Sequence, residues 1–500
     1  MKKFSKIISL ILSVILTFVL VVPAFAADTD KQTCPVIFIP GIATSHIYTD
    51  KDNPVEEIQP ISSDVLLEIV KETLIPSLII FSADRDYDKL ASSLCDAINS
   101  KFSTWFNNLD GSAMGNSGVL RVYPEASSVN SSSDLRFDYD WRGDPIAIAA
   151  ELNDYINYIT QSCGCDKVSL TAHSLGNVIT LTYLSIYGFD KVQGAVFDTP
   201  AIDGVDYIGD LMCGEFEFTD GSVDALFRLI LGSTEYEQLL SSVADAFGIA
   251  GIPGMLALFL NDILEKIAPT VFRETLVPVF GTWPTIWAMT PDDRIDESMD
   301  YIFSTYFTTE DSLVLRSKVE AYNTAVRENK YQTLLAFDEV ARVAVISRYG
   351  ASSIPITSSW NNLSDGVIDT KHSSLGATTA SYGEILSSEY LEGKDSAYIS
   401  PDKTVDASTC LFPEKTWFIK NLGHQDFLCI QVYYESFLFA QQEPTTENHA
   451  LSRFSILNPE TGGFDVDESV PDPVEKLSPW QVLIKFLKSI LAKFLELFKK

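Results

Sequence analysis

Histidine is scarce in this chain, which limits the chemistry that its sites can carry out. Only five histidines occur in 500 residues, and they are His46, His173, His372, His424 and His449. Imidazole is the usual general base near neutral pH and a common metal ligand. Any such role must therefore fall to one of these five side chains. Because they form no cluster with metal-ligand spacing, the sequence predicts no metal site.

Cysteine is also too infrequent to build a disulfide framework. The count of seven is odd, so at least one cysteine is free or pairs with another chain. Cys163 and Cys165 are separated by a single residue, which is too close for a usual zinc-binding pair. One or two disulfides are compatible with an export compartment, but the sequence does not define their pairing. No cofactor is predicted.

Positive charge is the third scarcity. The chain has 36 Lys and Arg residues against 68 Asp and Glu residues, a formal net charge of −32. A surface of this sign repels nucleic acid, so no nucleic-acid partner is expected. Otherwise the acidity indicates only a well-solvated surface.

The apolar run closest to the N-terminus has the order of a targeting segment. Lys2, Lys3 and Lys6 precede "IISLILSVILTFVLVV", and small residues end the segment at Ala26. A basic start, an apolar centre and a small-residue end are typical of a secretory signal peptide. We expect residues 1–26 to be removed and the mature protein to be secreted to the extracellular side. An uncleaved membrane anchor is the other interpretation of this pattern.

Apolar strands alternate with helices over residues 133–200. The run "PVIFI" at 35–39 ends at a Pro-Gly turn, and "KVSLTA" leads to a helix from Asn177. Residues 145–160 have apolar side chains at helical spacing. Continuous apolar strands between helices are typical of a parallel sheet with both faces covered. The sequence therefore predicts an α/β fold with a mostly parallel central sheet.

Composition divides the rest of the chain. We assign residues 27–204 and 340–440 to the two parts of the α/β core, and the helix-rich residues 205–339 to a helical cap, or lid, inserted between them. The Pro- and acid-rich residues 441–477 are predicted to be a linker.

Residues 478–500 are predicted to form an amphipathic helix. From residue 480 to residue 500, apolar side chains share one face and lysines flank it, which suits a helix lying on an anionic membrane surface. Docking of this helix on the protein's own body, or on another chain, fits the pattern equally well.

The sequence "AHSLG" at 172–176 predicts a sharp turn between a strand and a helix. Small residues two positions before and after Ser174, namely Ala172 and Gly176, let the strand and the helix approach closely. The common pattern has Gly where this chain has Ala172. Ser174 is predicted to be a nucleophile, whereas a helix-capping role is the alternative.

Two backbone amides are expected to stabilise an oxyanion beside Ser174. One is the N–H of Leu175, at the positive end of the following helix. The other is the N–H of Ile42, in the loop "IPGIATS" that follows the first strand. A plain Pro-Gly turn is the alternative role for that loop.

We call the strand–turn–helix segment around Ser174 the elbow. In a catalytic triad built on such an elbow, the residues follow one another along the chain as serine, acid and histidine. His424 follows a strand-like segment and a glycine, so it is predicted to be the base, with His372 as the alternative. Asp365, in the turn "LSDGVIDTKHSS", is predicted to be the acid, with Asp369 as the second candidate. An ordinary turn aspartate is the other role open to Asp365.

Four motifs of the sequence resemble those of a known protein family. They are "CPVIFIPGI", "FDYDWRGDP", "VSLTAHSLGNVITLTYL" and "SDGVIDTKHSSLG", and they occur in this order. Together they resemble the lecithin:cholesterol acyltransferase-like branch of the α/β-hydrolases, and "YDWR" at 139–142 is the most branch-specific piece. The last motif, followed by "GHQDF", is also similar to secreted bacterial triacylglycerol lipases. The resemblance implies an α/β-hydrolase fold, a Ser-Asp-His triad and ester or lipid substrates, and it implies a calcium-ligand role for Asp426.

These observations predict a secreted serine hydrolase that cleaves carboxylic esters, with lipids as the expected substrates. A lipid O-acyltransferase would share every step up to the acyl-enzyme. A catalytically idle surface-binding protein and a peptidase or amidase are the remaining alternatives on the same fold.

Overall fold

The computed structural model describes residues 34–58, 73, 75–231, 252–458 and 460–470. The predicted signal segment and the predicted C-terminal amphipathic helix lie outside these residues. Within the described ranges, no helix combines the length and the hydropathy needed to cross a bilayer.

An eight-stranded sheet forms the centre of the fold. Its strands are β1 (Val36–Ile39), β2 (Asp134–Arg136), β3 (Val168–His173), β4 (Val192–Asp198), β5 (Arg342–Tyr349), β6 (Thr416–Lys420), β7 (Phe454–Leu457) and β8 (Phe464–Val466). Their spatial order is β2-β1-β3-β4-β5-β6-β7-β8. All neighbours are parallel except β7 and β8, which are antiparallel. The predicted α/β fold with a mostly parallel central sheet is confirmed.

Both faces of this sheet are buried, which explains the continuous apolar runs of its strands. On β4, Ala195 and Phe197 belong to one hydrophobic core and Val196 belongs to another. Successive strand residues point to opposite faces, so the two cores lie on the two sides of the sheet. Each core is completed by helices that pack on it.

The helices fall between the strands and beyond them. They are α1 (Ile75–Asp84), α2 (Tyr87–Phe102), α3 (Pro145–Cys163), α4 (Leu175–Tyr187), α5 (Asp206–Met212), α6 (Asp220–Leu231), α7 (Ile252–Val271), α8 (Pro284–Ala288), α9 (Ile295–Thr305), α10 (Glu310–Ala325), α11 (Lys330–Asp338), α12 (Thr370–Ser373), α13 (Ser388–Leu391), α14 (Phe427–Gln431) and α15 (Tyr434–Leu438). A π-helical segment, Phe272–Gly281, continues α7. Cys163, the last residue of α3, forms a disulfide with Cys165.

Short two-stranded ladders brace the loops around the sheet. Ile47–Tyr48 pairs with Gly118–Val119, Ala351–Ser352 with Leu363–Ser364, and Thr378–Thr379 with Val405–Asp406. The segment Gly118–Val119 is therefore a strand of only two residues. Its partner lies in the loop after β1 rather than in the central sheet.

The helical layer above the core draws on two distant segments of the chain. Residues 205–339 contribute α5 to α11. However, α2 packs on α7, and a separate hydrophobic cluster joins Leu90 and Leu94 to Ile263 and Ile267. The described part of residues 75–102 therefore belongs with the cap, although the sequence placed it in the first part of the core.

The linker predicted over residues 441–477 is wrong for its middle part. β7 pairs with β6, and β8 pairs with β7, so residues 454–466 complete the central sheet. Phe454 is buried against Phe418 of β6, with their ring centroids 5.4 Å apart. The two strands have only four and three residues, and the acidic and proline-rich flanks dominate the composition around them.

Candidate active site

Ser174 lies in the turn between β3 and α4, at a backbone geometry that is strained for serine. Its φ is 56° and its ψ is −125°. Gly176 packs directly against the end of β1, where a Cβ on Gly176 would lie 2.1 Å from the carbonyl oxygen of Ile39. Gly41 is equally confined, since a Cβ there would lie 2.8 Å from Cβ of Ser174. This elbow on a parallel sheet is the arrangement expected of an α/β-hydrolase fold.

His424 and Asp365 reach the elbow from two loops that follow other strands. Nε2 of His424 lies 3.0 Å from Oγ of Ser174. Nδ1 of the same ring lies 2.7 Å from Oδ2 of Asp365. The structure therefore brings together the three side chains that the sequence singled out, in a continuous chain of hydrogen bonds. All three are buried, and Ser174 is 7% exposed.

The Asp365 carboxylate is held by its own loop. Its Oδ1 accepts hydrogen bonds from the backbone N–H groups of Val367 at 2.9 Å and Ile368 at 2.7 Å. Complete burial acts to raise the pKa of Asp365, but the nearby His424 and Arg348 and the N–H of Ile368 together hold that pKa below its ordinary value. The carboxylate therefore stays ionised and keeps its Oδ2 as an acceptor for the imidazole.

A second buried imidazole, that of His173, contacts the backbone of His424. Nε2 of His173 lies 3.1 Å from the carbonyl oxygen of His424, so His173 must carry its proton on Nε2 in order to donate it. Burial, followed by the charges of His424 and Arg348, lowers the pKa of His173 well below its ordinary value. A neutral His173 thus fixes the backbone of His424 and does not compete for the proton of Ser174.

Arg348 of β5 also binds the backbone of the loop that carries His424. Its Nη1 donates to the carbonyl oxygens of Gly423 at 2.7 Å and His424 at 2.9 Å. Its Nη2 donates to Oδ2 of Asp198 at 2.6 Å, and the hydroxyl of Tyr434 donates to the same oxygen at 2.7 Å.

Asp198 in turn contacts the elbow. Its carbonyl oxygen accepts from the backbone N–H of Ser174 at 3.0 Å and from Nδ2 of Asn177 at 2.8 Å. One buried ion pair therefore links the loop of His424 to the turn of Ser174. Burial raises the pKa of Asp198 above its ordinary value, against the opposing effects of Arg348 and Tyr434.

The loop that follows β1 lies against the elbow, and the "YDWR" motif shapes it. The hydroxyl of Tyr139 donates to the carbonyl oxygen of Pro40 at 2.6 Å, and Nε1 of Trp141 donates to the carbonyl oxygen of Ser45 at 3.2 Å. Ile42 follows Gly41 in this loop, and Leu175 is the first residue of α4. An N–H in the first turn of a helix has no partner within the helix, so the N–H of Leu175 is available beside Ser174.

The second candidates, Asp369 and His372, are not part of this chain of hydrogen bonds. Nε2 of His372 lies 2.7 Å from Oδ1 of Asp206, and Oδ2 of Asp369 accepts from the backbone N–H of Asp206 at 2.9 Å. Burial, and then the neighbouring Asp206 carboxylate, raise the pKa of Asp369 to about 6. These residues form a separate cluster with the first residue of α5.

Asp426 occupies an exposed position just before α14. Its Oδ2 accepts from the backbone N–H of Gly423 at 3.2 Å, which closes the loop that carries His424. Among the described residues, the potential metal-binding group contains Asp206, Asp369 and His372 and does not include Asp426. Among the described residues, Asp426 thus belongs to no group of side chains that could bind the calcium ion implied by the resemblance.

Sequence reasoning missed Arg348, Asp198, Tyr434 and Asp206. A signal was present for the first two, because each is a charged residue within an otherwise apolar strand, in "VAVISRYG" and "VFDTP". Buried charges are rare unless they are paired. Their presence in two predicted strands therefore indicated a pair, although the sequence did not show that those strands are neighbours.

Comparisons with known proteins complete the description. No protein-family model matches the chain, and no curated protein matches it. A search of solved structures returns a chain described as "The crystal structure of Tle4-Tli4 complex", at 12% identity, covering 64% of this chain and 75% of that chain with a TM-score of 0.26. A score of this size lies below the level at which two chains share a fold. The assignment of the fold therefore depends on the strand order and on the elbow.

Proposed function

We propose that this protein is a serine hydrolase that cleaves carboxylic esters through an acyl-enzyme, with Ser174 as nucleophile, His424 as base and Asp365 as its orienting acid. The observation that carries the proposal is the unbroken chain from Oγ of Ser174 through the imidazole of His424 to the carboxylate of Asp365. An exposed surface serine would lack both a base and an acid at these distances.

The steps follow from the direction of these hydrogen bonds. Oγ of Ser174 attacks the ester carbonyl carbon while Nε2 of His424 accepts the hydroxyl proton. The imidazolium then protonates the departing alcohol as the carbon–oxygen bond breaks, which leaves an acyl group on Ser174. Water, deprotonated by the same nitrogen, releases the acid and restores the serine. The N–H groups of Leu175 and Ile42 are the proposed donors to the oxyanion in both halves.

Asp365 has two functions in this scheme. Its Oδ2 accepts the Nδ1 proton of His424, so the lone pair of Nε2 faces Ser174. Its negative charge also stabilises the imidazolium that forms in each half-reaction. Because its Oδ1 is occupied by two backbone N–H groups, the carboxylate cannot rotate away from the ring without breaking them.

We also propose lipids as the substrates and the extracellular side as the location. The resemblance of the four motifs supports lipid esters, and the helical layer that includes α2 and α7 is rich in apolar side chains. The N-terminal pattern supports secretion. An amphipathic segment over residues 480–500 would suit attachment to a membrane surface.

The test is hydrolysis of p-nitrophenyl esters from acetate to palmitate, by the purified mature protein and by its Ser174→Ala variant. We expect activity that rises with chain length and that disappears in the variant. A fluorophosphonate probe should label the wild-type protein and leave the variant unlabelled, because it reacts only with an activated serine. If the protein shows no hydrolysis and no labelling, even with a lipid interface present, a binding protein is favoured instead.

Acyl transfer is distinguished by adding an alcohol. The acyl-enzyme is common to both reactions, so the assay measures how it is divided between water and a long-chain alcohol acceptor. Ester formation that exceeds acid release at modest alcohol concentrations would identify a transferase.

A further inference from the structure

A cluster of three side chains connects the cap to the loop that carries Asp365. Asp206 is the first residue of α5, at the start of the cap. Asp369 and His372 lie four and seven residues after Asp365, on the same loop and its short helix α12. One potential ligand atom from each of the three lies within 4.8 Å of the other two. We call this group the Asp206 cluster.

Most carboxylate oxygens of the Asp206 cluster have a polar partner. Oδ1 of Asp206 lies 2.7 Å from Nε2 of His372, and its Oδ2 lies 2.5 Å from Nζ of Lys371 and 2.6 Å from Nδ2 of Asn362. Oδ2 of Asp369 accepts from the N–H of Asp206. Oδ1 of Asp369, however, is buried and has no hydrogen-bond partner.

That orphan oxygen belongs to a side chain with no solvent exposure. Buried acceptors are paired in the great majority of proteins, so an unpaired carboxylate oxygen in a group of metal-ligating residues indicates a missing electropositive partner. Water could pair with the oxygen but would not compensate the second negative charge. A cation that bridges Asp369, Asp206 and His372 would do both.

We propose that the Asp206 cluster binds one divalent transition-metal ion of the zinc class, through Nε2 of His372 and one carboxylate oxygen each from Asp206 and Asp369. Two carboxylates and one neutral imidazole balance a charge of +2. Three protein ligands with a water molecule in the fourth position form a common zinc geometry. The imidazole separates this ion from calcium and magnesium, which prefer ligand sets made of oxygen.

Binding needs only a local rearrangement. Ligand atoms about 2.0–2.1 Å from a tetrahedral ion lie roughly 3.3 Å apart, whereas the two bonded atoms of Asp206 and His372 are already 2.7 Å apart. The side chain of Lys371 is 43% exposed, so its ammonium can move into solvent when the ion replaces it. The side chains of His372 and Asp206 are 17% and 19% exposed, which leaves the ion a route into the cluster.

The test is zinc binding to the purified mature protein, without a histidine tag, by titration against a chromophoric chelator. We expect one equivalent per chain in the wild type. Asp369→Asn and His372→Gln should each weaken binding by about tenfold or more, since even the loss of a residue that only supports a ligand costs about 10–100-fold. Zinc should also raise the unfolding temperature of the wild type and not that of either variant.

Two matched variants assign the equivalent to its site. His46→Ala removes an exposed imidazole that also lies beside a carboxylate, that of Glu57, and should bind zinc as the wild type does. His424→Ala removes a buried imidazole that is likewise paired with an aspartate and should do the same. Unfolding curves without metal show whether each variant is folded. If only one of Asp369→Asn and His372→Gln folds, that variant alone suffices for the comparison with the wild type.

Three results would overturn the proposal. The first is less than one equivalent of zinc bound by the wild type. The second is unchanged affinity in a folded Asp369→Asn or His372→Gln variant, and the third is loss of binding confined to His424→Ala. Binding of calcium in preference to zinc would show that the class of ion is wrong. None of these outcomes depends on whether the protein hydrolyses esters.

Discussion

Arg348 and Asp198 form an ion pair with a 2.6 Å contact, and neither side chain is exposed to solvent. The pair joins two neighbouring strands, β5 and β4, beneath the proposed active site. From it, hydrogen bonds run to the carbonyl oxygen of His424 and to the backbone N–H of Ser174. The position of His424 relative to Ser174 therefore depends on a buried charge pair that is not part of the proposed triad.

Replacement of Arg348 by methionine should destabilise the protein strongly. The change leaves the Asp198 carboxylate buried without its cation, and breaking such a pair costs about 3–5 kcal/mol. The free energy of unfolding from urea titration measures this loss. The double variant Arg348→Met/Asp198→Asn should lose less than the sum of the two single variants, because no unpaired charge remains. Additive losses would show that the two side chains act independently.

Replacement of Ser174 by glycine should give a more stable protein than replacement by alanine. The φ of 56° at this position is strained for any residue with a Cβ, and such strain costs of order 1–3 kcal/mol. We expect a difference of about 1 kcal/mol in the free energy of unfolding, with both variants inactive.

A helical serine provides the comparison for this measurement. At Ser317, in the middle of α10, glycine should instead be less stable than alanine by roughly 0.5–1 kcal/mol. The same order of stability at both positions would mean that the elbow is not strained.

Asp365→Asn should reduce kcat by about 10⁴-fold with little change in KM. The amide can still accept hydrogen bonds from Val367 and Ile368 through its oxygen, so the loop should keep its shape. Its NH₂ group then faces Nδ1 of His424, which places the ring proton on Nε2 and blocks the acceptor that Ser174 needs. Steady-state kinetics on a short p-nitrophenyl ester, with Ser174→Ala as the floor, measure the effect. A loss of less than tenfold would point to another acid.

The stability of the protein should fall as the pH falls from 7 towards 5, in part because of His173. Its pKa in the folded state is held well below the ordinary value, whereas the pKa of an unfolded histidine is about 6.5. The unfolded state therefore binds the proton first, and the stabilisation present above pH 6.5 is lost as the pH falls below it. One such group contributes a slope of up to about 1.4 kcal/mol per pH unit.

The variant His173→Asn isolates this contribution. Asp369, whose pKa is raised to about 6, has the opposite effect, because its folded form binds a proton that the unfolded form has released. That effect is common to both proteins and cancels in the difference between them. Urea titrations at several pH values should give a smaller slope for the variant, whatever its absolute stability. Equal slopes would mean that His173 is charged in the folded protein.

The elbow was predictable because its signal is local. An apolar strand, a serine between two small residues and a helix all fall within about a dozen positions, although the atoms that confine Gly176 belong to Ile39 and Pro40 at the end of β1. His424 could be chosen because the chain offers so few imidazoles and because the triad order excludes those before Ser174. Asp365 followed from the turn that carries it.

The remaining features depend on which segments become neighbours in space. The ion pair of Arg348 and Asp198 exists because β4 lies beside β5, and no pattern within either strand encodes that adjacency. The packing of α2 on α7 joins helices more than 150 residues apart. Strands β7 and β8 are too short for their composition to reveal them, and they are defined by the pairing of β7 with β6 and of β8 with β7.

The two outermost strands of the sheet have a consequence for encounters between copies of the protein. Each is three residues long, and each carries an exposed aspartate, Asp134 on β2 and Asp465 on β8. An edge strand offers unpaired backbone groups to any extended segment that approaches, and short charged edges discourage such pairing. The sheet is thus protected at both borders against self-association into larger β-structures, even where the protein is concentrated.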